Sequence, residues 1–143
     1  MIKIKIIIRI MMWTGLLALA SHMAFAQEEA AAPSFPGIKC EELKKLIDSK
    51  ANDILVVSND PQESYDAGHI AGAISFPWEN RLKTPVTLPR DKTIILYCSC
   101  THEEDSSDMA AKLARFGYRN IKVLEGGFLK WLDLKYPVDK KPE

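Results

Sequence analysis

The chain has 143 residues, with 19 Lys and Arg balanced by 19 Asp and Glu, so its formal net charge is zero at pH 7. It holds neither the basic patch that nucleic-acid binding requires nor the acidic tail of a charged interaction segment. Three cysteines, Cys40, Cys98 and Cys100, are too few for a disulfide-built scaffold, and their odd number leaves at least one thiol unpaired within a monomer.

Lys3, Lys5 and Arg9 give a positive start. Met11 to Ala20 forms an apolar core broken only by Thr14 and Gly15, and Ala24-Phe25-Ala26 carries the small-x-small pattern of signal-peptide cleavage. Residues 1–26 are therefore read as a signal peptide, with cleavage after Ala26 and a periplasmic or secreted destination. The apolar run is short for a membrane span, so a membrane enters only if the leader stays uncleaved. That leader holds three of the basic residues and none of the acidic ones, which leaves 117 residues with a net charge of −3. Such a length suits one compact domain. Residues 27–37 read as a flexible leader, 38–138 as the domain and 139–143 as a C-terminal tail.

Along the domain, Ile38 opens a short strand, and Glu41 to Ser49 places Leu43, Leu46 and Ile47 on one helical face. Ile54-Leu55-Val56-Val57 predicts a buried strand. Pro61 to Ala67 predicts a short helix, with proline in its first turn and Gly68 at its end. A strand over Ala73 to Phe76 stops at Pro77, and Trp78 to Pro89 is connection. Thr93-Ile94-Ile95-Leu96-Tyr97 is a β-rich apolar run, followed by a polar loop and a helical pattern from Asp108 to Phe116 that Gly117 caps. Ile121 to Leu124 is a further strand and Phe128 to Leu134 a last helix. Strands alternating with helices predict an α/β fold, a central mostly parallel sheet with helices on both faces and its site at the strands' C-terminal edge.

Cys98 stands at that edge. A cysteine between a strand end and a helix N-terminus lies where backbone N–H groups and the helix dipole favour a thiolate. Behind it runs Ser99-Cys100-Thr101-His102-Glu103-Glu104-Asp105-Ser106-Ser107, the candidate substrate-binding loop.

Several segments in order resemble the rhodanese-like domain. Gly68-His69-Ile70-Ala71-Gly72-Ala73 is similar to that family's Gly-His-Ile-Pro-Gly-Ala signature, with Ala71 in place of proline. Tyr97-Cys98 resembles the strand end that carries its active cysteine. Gly117 to Ile121, Glu125-Gly126-Gly127-Phe128-Leu129-Lys130-Trp131 and Tyr136-Pro137-Val138 are similar to its later segments, so the likeness runs from Ile38 to Val138. It implies a single rhodanese-like domain and a sulfurtransferase that carries sulfur as a persulfide on Cys98. It implies no cofactor, because the sulfur rides on the protein. The partner would be a small sulfane-sulfur donor or a persulfidated protein. Two departures mark a variant. Where the family has Asp-x-Arg after its second strand, this chain reads Val57-Ser58-Asn59-Asp60-Pro61, which offers Asp60 as a substitute carboxylate. The active loop is lengthened and has neither the usual glycine nor the usual arginine.

Glu103, Glu104 and Asp105 place negative charge near Cys98, which disfavours both a thiolate and an approaching thiosulfate, while a protonated His102 would offset part of it. The expected donor is therefore a polysulfide or a protein persulfide, bound by backbone N–H groups of Ser99 to Ser107. Two readings of Cys100 stand side by side: a resolving thiol that forms a disulfide with Cys98, or a side chain that only shapes the loop. A non-catalytic binding module is the alternative function, with a protein partner or a metal held through Cys98, Cys100, His102 and Glu103 or Glu104. Cys40 reads as a structural thiol, and His69 as a histidine bonded to backbone. Trp78 is either a wall of the site or packing, and Arg81 and Lys83 in the same connection are candidates for the missing positive charge.

Overall fold

The computed structural model describes residues 34–142, so the signal-peptide reading and leader residues 27–33 lie outside it. Within it the elements run β1 (Gly37–Ile38), α1 (Cys40–Asp48), β2 (Ile54–Ser58), α2 (Gln62–Ala67), β3 (His69–Ile70), β4 (Ile74–Ser75), β5 (Thr93–Tyr97), α3 (Glu104–Arg115), β6 (Ile121–Leu124), α4 (Gly127–Asp133) and β7 (Val138–Asp139). Five strands form one parallel sheet in the order β1-β6-β5-β2-β4. The central strand β5 pairs Ile94 with Ile121 of β6 on one side and Tyr97 with Ser58 of β2 on the other. This is the α/β architecture that the alternation predicts.

Side chains alternate across a strand, and here both faces are covered, so the central strands β2 and β5 are apolar except for Ser58 and Thr93 at their ends. Ile95 and Tyr97 of β5 face one layer with Val56 and Leu124, against Leu43 of α1 and Phe128 and Trp131 of α4. Ile94 and Leu96 face the other with Val57 and Val123, against Met109, Ala110 and Leu113 of α3. The spacing 109, 110, 113 is one helical face. Trp131, Tyr97 and Leu113 are fully buried, each contributing roughly 1.5–3 kcal/mol through apolar area removed from water.

Four boundaries differ from the sequence reading. Helix α3 starts at Glu104, four residues before Asp108, because Glu104 and Asp105 in its first turn complement the positive helix end. Pro61 lies just outside α2 as its N-cap, in extended backbone. Pro36 and Gly37, read as the leader's end, join the sheet: the Val123 N–H donates to the Pro36 carbonyl at 3.0 Å, and Gly37 pairs with Val123. At the other end Asp139, read as tail, pairs with His69 in a small antiparallel sheet of β3 and β7. Two-residue strands carry no alternation to read, so only their partners define them.

Candidate active site

Strand β5 delivers Cys98 to the C-terminal edge, where it is wholly buried. Its carbonyl accepts the Phe128 N–H at 2.9 Å, which fixes the strand end against the start of α4. That approach requires Gly127, whose φ of +54° is left-handed and whose missing Cβ would overlap the Cys98 carbonyl oxygen. The Cys98 Sγ lies 3.7 Å from the Ser106 Oγ, in the first turn of α3, and that hydroxyl also reaches the Glu103 carbonyl at 3.1 Å. The sulfur thus faces a hydroxyl and the N-terminal end of a twelve-residue helix.

Asp60 holds the next residue. Its carboxylate accepts the Ser99 N–H at 2.7 Å and the Ser99 hydroxyl at 3.0 Å, while itself buried just past β2. The Asn59 N–H donates to the Tyr97 carbonyl at 2.8 Å, so the ends of β2 and β5 stay joined beyond the ladder. Asp60 therefore does reach the loop, as its place in the sequence suggested. Asn59 donates through Nδ2 to the Phe76 carbonyl at 2.8 Å and leaves its buried Oδ1 without a partner.

Cys98 and Cys100 are joined by a disulfide, with their Cα atoms 5.3 Å apart. Cys98 is sealed in the core while Cys100 is partly exposed. The Cys100 sulfur lies 3.3 Å from the Asp105 Oδ2, within reach of the thiol proton it carries when reduced. Glu103 sits in the left-handed region at φ 54°, and its carboxylate accepts the Gly126 N–H at 2.6 Å, tying the loop to the turn before α4. The His102 ring is exposed and lies 3.5 Å from the Glu104 carboxylate. Glu104 is held below the usual carboxylate range, first by its own N–H and then, against some desolvation, by the N–H and ring of His102.

The nine-residue loop read from sequence is shorter in the structure. Ser99, Cys100, Thr101, His102 and Glu103 form it, whereas Glu104, Asp105, Ser106 and Ser107 are helix. Nor are all its N–H groups open to a ligand: Asp60 takes that of Ser99, Glu104 that of His102 at 3.2 Å, and the Glu103 carbonyl that of Ser107 at 2.8 Å. The donor-binding role expected of the whole run therefore falls away for those three groups. They are satisfied internally because a tight loop entering a helix must pair its own backbone.

The metal reading is not met, since among the described residues no group of three or more His, Cys, Asp or Glu side chains is arranged to hold a metal ion, and two of the ligands are spent on the disulfide. Arg81 and Lys83 do not bring charge to the loop: Lys83 pairs with Glu79 at 3.0 Å, and among the described residues no lysine or arginine bonds to residues 98–107. Trp78 lies on the surface beside α3, 39% exposed. Its indole N–H donates to Asp108 at 2.6 Å, and Lys112 lies over its ring at 4.2 Å while pairing with Asp108 at 2.6 Å. Burial pushes the Asp108 carboxyl up, but Lys112 and the indole outweigh it and hold the group low. His69 donates its Nδ1–H to the Tyr65 carbonyl at 2.8 Å and stacks on the Tyr65 ring, as its structural reading requires. Cys40 lies in the core under Glu125, and burial pushes its thiol up. The link from Glu103 to Gly126 has no sequence signal, because the two residues are 23 apart and neither motif hints at the other.

Comparison with known proteins agrees with this geometry. The rhodanese-like domain family matches residues 39–134. The HTH-type transcriptional regulator Rv0324 of Mycobacterium tuberculosis is 34% identical over 91 residues, covering 64% of this chain and 40% of the regulator. The thiosulfate sulfurtransferase GlpE of Coxiella burnetii is 28% identical over 82 residues, covering 57% of this chain and 75% of GlpE. The crystal structure of BH2092 from Bacillus halodurans superimposes with a TM-score of 0.68 at 30% identity, over 74% of this chain and 77% of that one. The chain thus spans about two fifths of the regulator's length.

Proposed function

The chain belongs to the rhodanese-like domain family, and we propose that it is an exported sulfurtransferase carrying sulfane sulfur as a persulfide on reduced Cys98. One observation carries this: a buried cysteine directly follows the central parallel strand and lies 3.7 Å from the Ser106 hydroxyl in the first turn of α3. The helix end stabilises a thiolate, and burial excludes water from the sulfur it would hold. GlpE, a relative of this chain, is a thiosulfate sulfurtransferase.

The reaction begins from the open dithiol. The Cys98 thiolate attacks the terminal sulfane sulfur of a donor, the donor's S–S bond breaks, and the donor leaves as a thiolate or a chain one sulfur shorter. A second nucleophile then takes the outer sulfur from Cys98. Thiosulfate is a poor fit, because its sulfonate needs charged donors. The charged groups that hold the loop after Cys98 are instead carboxylates: Asp60 on Ser99, Asp105 beside Cys100 and Glu103 on Gly126. A polysulfide or a persulfidated protein thiol asks less of the loop.

The test uses reduced protein with Cys100→Ser, so that no disulfide forms, exposed separately to polysulfide and to thiosulfate and analysed by intact mass and peptide mapping. One sulfur on Cys98 from polysulfide, and far less from thiosulfate, is the expected result. Cys98→Ser is expected to lower sulfur transfer at least about a hundredfold. No gain from either donor, or equal gain on Cys40, would overturn the reading.

A further inference from the structure

The persulfide reading leaves Cys100 without a task, although its sulfur is bonded to Cys98. The two cysteines differ in surroundings. Cys98 is sealed in the core beside Ser106, whereas Cys100 is partly exposed and has the Asp105 carboxylate 3.3 Å from its sulfur. A carboxylate at that distance accepts the thiol proton as the sulfur becomes a nucleophile. A single residue, Ser99, separates the two cysteines, so the effective concentration of Cys100 at Cys98 exceeds that of any free thiol.

We propose that Cys100 is a second catalytic residue, resolving the Cys98 persulfide and releasing hydrosulfide. Resting on the carrier reading above, this extends it from sulfur transfer to sulfane-sulfur reduction. The Cys100 sulfur attacks the Cys98 Sγ and passes its proton toward Asp105. The bond from Cys98 to the outer sulfur breaks, and that sulfur leaves as hydrosulfide with the electron pair. A Cys98–Cys100 disulfide forms, which is the state the structure holds. Two thiols are oxidised and one zero-valent sulfur is reduced to sulfide, so electrons balance. An external dithiol reductant then restores the pair. It attacks the sulfur it can reach, that of Cys100, and Cys98 leaves as the thiolate that the α3 N-terminus favours; the reductant's second thiol then displaces Cys100 from the mixed disulfide and the reductant ends as its own disulfide. Burial assigns the order: a buried sulfur stores, and an exposed one communicates with solvent and reductant.

The experiment mixes the fully reduced chain, without air, with less than one equivalent of the persulfide of a small thiol. Loading from this donor frees the small thiol, so sulfide appears only on resolution. Wild type is expected to release one sulfide per donor consumed and to end as the Cys98–Cys100 disulfide, with no sulfur kept on Cys98. Cys100→Ser keeps a hydroxyl to donate to Asp105 and lies at a partly exposed position, so it folds. That variant is expected to keep the sulfur on Cys98 and to release sulfide at least tenfold more slowly, to the order of magnitude that tethering implies. If wild type also keeps its sulfur on Cys98 with Cys100 a free thiol, the resolving role is overturned while the carrier reading stands. If Cys98 gains no sulfur even in Cys100→Ser, both are overturned.

Discussion

Tyr97, the residue before Cys98, has its hydroxyl in the core, where it accepts the Ile70 N–H at 3.1 Å. Burial, helped by the nearby charge of Asp60 and opposed by hydrogen bonds with Ser58 and Ile70, pushes its phenol up to about 12 from a usual 10.0. The sign of the consequence is fixed. Between those values the unfolded chain has lost the proton and the folded chain still holds it. Stability from this group is therefore complete below pH 10 and falls as pH rises toward 12, by roughly 2–3 kcal/mol. In urea titrations across that window, wild type should lose this amount more than Tyr97→Phe does. Equal losses would show that burial does not hold the proton. At the same scale, Asp60 was visible in the sequence only as a carboxylate in the right neighbourhood. Its two bonds to Ser99 span 39 residues and exist only because β2 and β5 are adjacent.

At the scale of elements, the site is the meeting of β5, α3 and α4. The β5 end was legible because Thr93 to Tyr97 is β-branched and apolar and stops at a polar run. The start of α3 was not: Glu103 to Ser107 reads as a charged loop until the acidic residues are seen as a favourable first helical turn. Gly127 is the hinge of the arrangement, since its left-handed backbone turns α4 so that the Phe128 N–H meets the Cys98 carbonyl. Gly127→Ala should cost about 2–4 kcal/mol in chemical denaturation, from the left-handed penalty together with backbone displacement. It should also slow sulfur loading of reduced Cys98 by moving the strand end. A variant of wild-type stability and loading rate would mean that the β5–α4 contact does not position the cysteine.

For the whole molecule, the two apolar layers account for a stable domain without a disulfide framework, so the Cys98–Cys100 bond is free to open and close. An exported location would suit such a pair, because oxidising compartments close dithiols and a dedicated reductant must reopen them. If the proposed export holds, cleavage after Ala26 is expected to leave Gln27 as the first residue, and N-terminal sequencing after cell fractionation checks it. Recovery with membranes and an intact leader would instead place the domain on an anchor.

Order and periodicity along the chain determined the fold class, the central strand, the cysteine at its edge and the family likeness, because these depend on local alternation and short motifs. Asp60 as the clamp on Ser99, Glu103 as the tie to Gly126 and the split between a buried Cys98 and a partly exposed Cys100 were decided by tertiary structure. Each depends on groups brought together across the sheet edge. A sequence states which polar groups exist, but which of them lose water, and which partner replaces it, is settled only when the strands and helices close around them.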